Sequence, residues 1–376
     1  MSETVPSAGG FDVAVIGGGL VGAAIAWGLA RTGATTALVD EGDVAFRAAR
    51  GNFGLVWVQS KGDNRPEYAH WTRRSAELWP GLAGALADDT GIDVALAQPG
   101  GLHSCLSEAE MAERGEMIHR MHNQSGGIGA KLLSRAELKD MVPGLGPQVL
   151  GASFSPIDGH ANPLYLLRAF HAGLIGRGGR YLPGRTVDRI DPAGGGGFAI
   201  VCGAERFVAA KLVIAAGLGS RRLAPMVGLD MPVDPLRGQI MVTERLRPFL
   251  DLPTVYVRQT AEGSVMVGDS HEDVGFDNST TAAVMQDIAR RSAATFPALA
   301  DAQIVRAWGA LRVMTPDGIP IYEQSARHPG AFAATCHSGV TLAGAHALAL
   351  APAIAAGCLP STLDSFSSGR FHVSAA

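Results

Sequence analysis

Apolar and polar positions along this chain follow two periods, and the change from one to the other divides it. Asp12-Val13-Ala14-Val15-Ile16 is an apolar, β-branched run of strand length that enters a glycine turn. Residues 23–31 have helical composition, and Thr32-Gly33 supplies a glycine where a left-handed C-terminal cap is expected. Thr36-Ala37-Leu38-Val39 is a second short strand, and it ends on an acid. Residues 66–88 read as a helix with Tyr68, Trp71, Leu78 and Leu82 on related faces, and Pro80 is expected to break or kink it. After a short strand at residues 101–104, Ser107 and Glu110 form the capping signature of a charged helix. Residues 157–163 are a turn cluster leading into a helix over 164–176, with Pro163 near its first turn.

Beyond that point the two-residue period takes over. Residues 185–190, 198–202 and 206–210 read as short strands, with a flexible glycine tip at 194–197. Leu212-Val213-Ile214-Ala215-Ala216 is a buried strand ending at Gly217-Leu218-Gly219-Ser220. Antiparallel strands are expected at 239–242, 254–257 and 264–267, then a helix over 280–296 and a strand around 304–308. The alanine-rich run 342–359, interrupted by His346, Pro352 and Gly357, reads as a buried helix and not a membrane span. A helix-rich start, β-rich middle and alanine-rich end imply a nucleotide domain assembled from separated segments.

Composition narrows the class. With 376 residues, 47% hydrophobic and 18% charged, the chain suits a soluble, densely packed α/β enzyme of one large domain or two packed ones. A net charge of −4, with basic pairs no longer than Arg73-Arg74 or Arg221-Arg222, gives no reason to expect nucleic acid. Cys105, Cys202, Cys336 and Cys358 stand far apart with no C-x-x-C pair. They imply a reducing, cytoplasmic setting without structural zinc, iron–sulfur cluster or other metal site. The first residues, Met1-Ser2-Glu3-Thr4, lack the positive region of a secretory signal.

Gly17, Gly19 and Gly22 make a G-x-G-x-x-G turn between strand and helix. Gly17 allows the tight turn, Gly19 a close approach to a pyrophosphate, and Gly22 close packing of helix on strand. The pyrophosphate would meet the exposed N–H groups at the start of that helix. Asp40, or failing it Glu41, stands where the fingerprint places an acceptor for ribose hydroxyls. In a chain with 49 glycines the turn alone is weak, but strand, helix and acid at the right distance predict dinucleotide binding. The alternative is a helix-packing turn in an unrelated α/β protein. Residues 47–59 carry Arg47 and Arg50 ahead of glycines and Asn52, which suits a segment beside an anion or an ordinary polar loop.

Several stretches together resemble the flavin-dependent D-amino-acid oxidase superfamily, in the branch with glycine oxidase, sarcosine oxidase and D-amino-acid dehydrogenases. They are the glycine turn with Asp40, Val213-Ile214-Ala215-Ala216-Gly217, Pro235-Leu236-Arg237-Gly238-Gln239, Trp308-Gly309-Ala310-Leu311-Arg312 with Thr315-Pro316-Asp317-Gly318, and His337-Ser338-Gly339-Val340-Thr341-Leu342. Within the branch, residues 50–59 and 336–339 look most like the catalytic subunits of opine oxidases, D-hydroxyproline dehydrogenases and hydrogen cyanide synthase. The resemblance implies an α/β fold: a Rossmann-like, GR2-type FAD-binding domain over residues 1–88, 150–228 and 312–376, and a mixed, largely antiparallel β-sheet substrate domain over 89–149 and 229–311.

It also implies FAD in place of NAD. The adenosine half would sit on Gly17, Gly19, Leu20, Val21 and Gly22 with Asp40 and Glu41, and the Val187 backbone near the adenine. Arg47 and Ala49 would lie near the diphosphate, Asn52, Phe53, Gly54 and Leu55 near the isoalloxazine, and Ala216 and Gly217 along the cleft. Gly339, Val340, Thr341 and Leu342 would open the last helix, whose N-terminal dipole favours negative charge at flavin N1 and O2. Ala310 and Leu311 stand near where covalent flavoproteins of the family carry a cysteine, so the FAD is expected to be non-covalent.

For the substrate, the resemblance implies that Arg312 forms a two-point pair with its carboxylate. A salt bridge to Asp317 or a nearby glutamate is the alternative. Tyr256 and Arg258 fall on the strand that faces the substrate in relatives, with Asp269 and Ser270 at the rim. His337 contacts substrate or cofactor, or is a satisfied buried histidine. His103, His160 and His271 read as structural, and Cys336 as a small buried hydrophobe. The implied reaction is oxidation of the C–N bond of a small amino or imino acid of the D-amino acid, hydroxyproline, glycine, sarcosine or opine type. Hydride passes to flavin N5, and the imine hydrolyses to a 2-oxo acid. No acid–base dyad is demanded, and none is evident. An NAD-dependent dehydrogenase, a non-catalytic FAD-binding subunit and a sarcosine-type demethylase are the competing readings. Companion electron-transfer subunits enter as partners because the opine and hydroxyproline relatives work with them.

Overall fold

The computed structural model describes residues 7–42, 48–126 and 129–372. The chain opens with the expected strand–helix–strand unit, β1 (Ser7–Ile16), α1 (Leu20–Arg31) and β2 (Thr36–Val39). Gly33 ends α1 in the left-handed region, at φ +89°. After β3 (Leu55–Val56), α2 (Pro66–Thr90) runs unbroken through Pro80. Proline removes the N–H that would bond the Ala76 carbonyl, and Gln98 Nε2 donates to that oxygen instead, at 3.1 Å. The expected break is absent because a side chain supplies the missing donor.

β4 (Gly101–Cys105) leads to α3 (Glu108–Ser125). Ser107 Oγ accepts the Glu110 N–H at 3.2 Å, while the Glu110 carboxylate accepts the Leu106 N–H at 2.9 Å. Next come β5 (Lys131–Ser134), α4 (Arg135–Met141), β6 (Gly151–Ser155) and β7 (Gly159–His160), then α5 (Pro163–Gly176), capped by the Asn162 side chain. β8 (Arg180–Leu182), β9 (Arg189–Pro192), β10 (Phe198–Cys202) and β11 (Glu205–Ile214) follow. Residues 185–188 lie ahead of β9, and the two strands expected at 206–210 and 212–216 are one continuous β11 ending at Ile214.

The rest is α6 (Ser220–Leu223), β12 (Asp234–Arg245), β13 (Val257–Gln259), β14 (Ser264–Gly268), α7 (Ala282–Thr295), β15 (Ile304–Met314), β16 (Ile321–Gln324) and β17 (Ala331–Thr335). A final buried helix runs through α8 (Ala343–Ala345), a π turn at His346–Leu350 and α9 (Ala351–Ala356). It crosses α1 at Gly28, where a Cβ would stand 2.3 Å from the Ala347 carbonyl oxygen. Among the described residues no helix is long and apolar enough to cross a membrane.

One mixed sheet has the order β16-β17-β11-β1-β2-β8, with β10 and β9 continuing from β11. β1 pairs in parallel with β11 and β2, β17 with β11, and β8 with β2. The carboxyl ends of these strands therefore open on one edge, where ligands of parallel sheets bind. Buried apolar side chains cover both faces of this sheet. A four-stranded antiparallel sheet, β13-β14-β12-β15, and a three-stranded one, β4-β6-β5, are linked by a bridge between Leu102 and Thr254 and share a third apolar cluster with α7.

Candidate functional site

Where β1 ends, Gly17 has φ +107°, and a Cβ would come within 2.3 Å of the Ala215 carbonyl oxygen. A Cβ on Gly22 would lie 1.9 Å from the Gly17 carbonyl oxygen, so α1 rests directly on the turn. Gly19 differs: a Cβ there meets nothing nearer than the Ala49 methyl at 3.9 Å, so the backbone faces open space. α1 begins there with no side-chain cap and no acid in its first turn, the arrangement that leaves helix N–H groups for an anion. Asp40 is buried in the opposite wall, where its carboxylate accepts the Gly18 N–H at 2.6 Å and the Gly42 N–H at 2.9 Å.

These elements wall a cleft of about 540 Å³. Gly17, Gly19, Leu20, Val21, Asp40 and Glu41 line one side, and Ala49, Asn52, Val187, Ala216 and Gly217 another. Gly339 and His337 close the end nearest the second sheet. Val187 is held by Arg222, which donates to its carbonyl at 2.6 Å. Gly22 sits behind the turn, and Arg47 lies outside the described residues. An uncapped helix start, a glycine with room for a close ligand and a fixed carboxylate on the facing wall fit the pyrophosphate and ribose of a dinucleotide.

Phe53, Gly54 and Leu55 lie just past the cleft wall. The Phe53 carbonyl accepts Arg258 Nε at 2.9 Å, the Gly54 N–H donates to Asn52 Oδ1 at 2.7 Å, and Leu55 pairs with His160. Thr341 Oγ1 accepts the Trp57 N–H at 3.1 Å and donates to the Leu55 carbonyl at 3.2 Å. Val340 and Thr341 carbonyls accept Trp79 Nε1 and Ser75 Oγ. Gly339, Val340, Thr341 and Leu342 thus form a tied turn ahead of α8, one step before the helix they were expected to open.

Beyond that turn lies a polar cluster. Arg312, on β15, donates through Nη2 to Asp269 Oδ1 at 2.5 Å and through Nη1 to the Ser270 carbonyl at 2.8 Å. Asp317 pairs instead with Arg370, so the partner of Arg312 is an acid 43 positions away and not the adjacent one. Arg258 is buried against Phe53, His160 and Met266, with no carboxylate in ion-pair range among the described residues, and burial pushes its pKa down to about 10. Tyr256 packs edge-on against His103 with the Arg291 guanidinium 4.4 Å over its ring, and the Asp269 charge also reaches it.

His337 Nε2 lies 2.7 Å from Lys61 Nζ and 3.2 Å from Ser338 Oγ. Burial and the neighbouring Lys61 and Arg312 charges hold its pKa well below the usual histidine range. Burial likewise lowers Lys61 to about 8. Sequence reasoning found no pair of this kind. Ser60-Lys61-Gly62 reads like any surface lysine, and its partner is 276 positions away. Burial raises the Cys336 thiol to about 12, in keeping with a small buried hydrophobe. It lowers His103 to about 3 and His160 to about 4, the latter also under the Arg258 charge. Among the described residues no group of three His, Cys, Asp or Glu is arranged to hold a metal ion.

Comparison with known proteins agrees with the cleft. The family described as FAD dependent oxidoreductase matches residues 12–353. The chain is 44% identical over 363 residues to the B component of the opine oxidase of Agrobacterium tumefaciens (strain Ach5), covering 96% of this chain and 98% of that protein. It is 27% identical over 335 residues to the glycine oxidase of Geobacillus kaustophilus (strain HTA426), covering 87% and 88%. The crystal structure of glycine oxidase from Geobacillus kaustophilus superposes with a TM-score of 0.86 at 25% identity, covering 95% of this chain and 98% of that one. The cofactor is FAD and not NAD. With its glycine turn, its cleft at the carboxyl ends of parallel strands and this match across most of its length, the chain belongs to the FAD dependent oxidoreductase family.

Proposed function

We propose that this enzyme oxidises the C–N bond of a small amino or imino acid whose carboxylate is held by Arg312. One observation carries the reading: Arg312 aims two N–H donors into a polar cluster adjoining the cleft, one at the Asp269 carboxylate and one at the Ser270 carbonyl. A planar guanidinium suits two-point pairing, and a substrate carboxylate would take the place of these acceptors. Gly19 and the first turn of α1 would receive the diphosphate, Asp40 the ribose, and residues 52–55 with 339–342 the isoalloxazine. When bound, FAD accepts the substrate α-hydrogen as hydride. Arg312 would orient the substrate through its carboxylate. With Ala310 and Leu311 in place of a cysteine, the FAD is held without a covalent bond at that position. Because the 44% identical relative is named as one component of an oxidase, a companion chain that takes up the electrons is part of the reading.

The test is the visible spectrum of the purified protein before and after anaerobic addition of glycine, sarcosine, D-proline, cis-4-hydroxy-D-proline, D-alanine and octopine. Bleaching by one of them is expected and names the substrate type. A bound flavin that no amine bleaches would sink the reading.

A further inference from the structure

Lys61 follows β3 in a turn fixed from several sides. Its own N–H donates to the Val58 carbonyl, and the Val58 N–H donates to Asp158 Oδ1 at 2.7 Å. The Gln59 side chain donates to the Gly101 carbonyl and to Asp158 Oδ2, while Arg114 donates to the Gln59 side-chain oxygen. The lysine is therefore delivered by an ordered loop. Its ammonium has three donors, and one meets His337 Nε2. The imidazole also hydrogen-bonds the Gly318 backbone, and an Nε2 that accepts from the ammonium is the neutral form that burial favours.

What Lys61 lacks is a counter-ion. Among the described residues no carboxylate lies within ion-pair distance of it. The acids whose fields reach it are engaged elsewhere, Asp269 by Arg312, Asp158 by Val58 and Gln59. A half-buried cation with no carboxylate beside it gains when an anion joins it. Arg312 acts on the same ammonium, so the two cations share one polar space beside His337.

We propose that Lys61 is a second anion anchor of the substrate site. Arg312 and Lys61 together select an amine flanked by two acidic groups, an N-(carboxyalkyl) amino acid, over an amine with a single carboxylate. The assignment rests on the reading of Arg312 as the first anchor. Lys61 carries its charge at neutral pH and loses it as pH rises through about 8. The groups facing it are Cys336 and His337 after β17, Arg312 on β15, Asp269 and His271 after β14 and Asp158 before β7. Burial pushes Asp158 up to about 7, so the diagnostic limb of a pH titration is the one above 8.

The holoenzyme is titrated with glutarate, a carbon analogue of iminodiacetate that has no amine to oxidise, and with butyrate as its one-carboxylate control. Binding is read from the perturbed flavin spectrum and by calorimetry. Wild type is expected to bind glutarate about 30-fold more tightly than butyrate, the scale of one charge-assisted contact. Lys61→Met should bring that ratio to about 1–3 with butyrate binding unchanged, and Lys61→Arg should keep most of it and lack the fall above pH 8. Equal loss for both ligands in Lys61→Met, no preference in wild type, or a Lys61→Arg variant as weak as Lys61→Met would each overturn the assignment. A Lys61-dependent glutarate preference in a protein whose flavin no amine bleaches would overturn the amine-oxidation reading and leave the anchor standing.

Discussion

Gly17, Gly19 and Gly22 share one turn, yet a methyl group added to each meets a different fate. Gly22→Ala drives a Cβ into the Gly17 carbonyl and should destabilise the fold by ~3 kcal/mol or more, read as a lower Tm of the apoprotein. Gly19→Ala meets only open cleft, so the apoprotein should keep its Tm while flavin content and affinity fall. Equal flavin content in wild type and Gly19→Ala would remove the diphosphate from that spot. At Arg312 the expected loss is in binding. Arg312→Ala should raise KM for a carboxylate substrate about 10- to 100-fold and change kcat less, because the anchor acts on ground and transition states alike. Unchanged KM would end its role. The glycines were legible because their spacing identifies them, whereas Arg312 was singled out only through the family resemblance. Lys61 was not, since its character comes from burial beside His337, and Asp269 was expected only at the rim. Tyr256 lies just ahead of β13 and not on it, and its ring meets His103 and Arg291, which the sequence does not bring near it.

Among the elements, α2 runs past Pro80 without a break, at a place where residues 66–88 alone predict a break or a kink. The remedy lies at Gln98, after the helix has ended. Gln98→Ala should cost about 1–2 kcal/mol by leaving the Ala76 carbonyl unpaired. Pro80→Ala restores a backbone donor, so the same Gln98 change in that background should cost less than about 0.5 kcal/mol. Equal costs in both backgrounds would show that the bond does not bear on the helix. β12, β14, β15 and the buried last helix were readable from period and composition, whereas the strand expected at 254–257 lies at Val257–Gln259, after a bend at residues 255–256. The joining of residues 206–214 into one strand was not readable, because it depends on pairing with β1 along one side and with β10 and then β17 along the other.

For the molecule as a whole, buried histidines set how stability responds to acid. His346 is fully buried with Nε2 2.7 Å from the Tyr322 hydroxyl, and burial lowers its pKa to about 3. A group depressed on folding contributes stability that is present above its unfolded pKa of 6.5 and is lost as pH falls toward 3, at about 1.4 kcal/mol per pH unit. His103 and His160 act in the same direction. Asp158, raised to about 7, opposes them, since its contribution is lost as pH rises through that value. His346→Gln should flatten the decline of unfolding free energy between pH 6.5 and 4 by that slope, measured in denaturant titrations. An unaltered slope would mean that the imidazole is already solvated.

The sheet order carries one more consequence for the whole molecule. β1, which opens the chain, has β11 as its neighbour, and β11 in turn receives β17. The cleft draws its walls from both ends of the sequence, from Gly17 to Gly339. A nascent chain halted at residue 330 would own the glycine turn and Asp40 but not the wall formed by residues 334–339. Cofactor capture is therefore an act of the finished polypeptide, and any pool of interrupted synthesis products should emerge colourless.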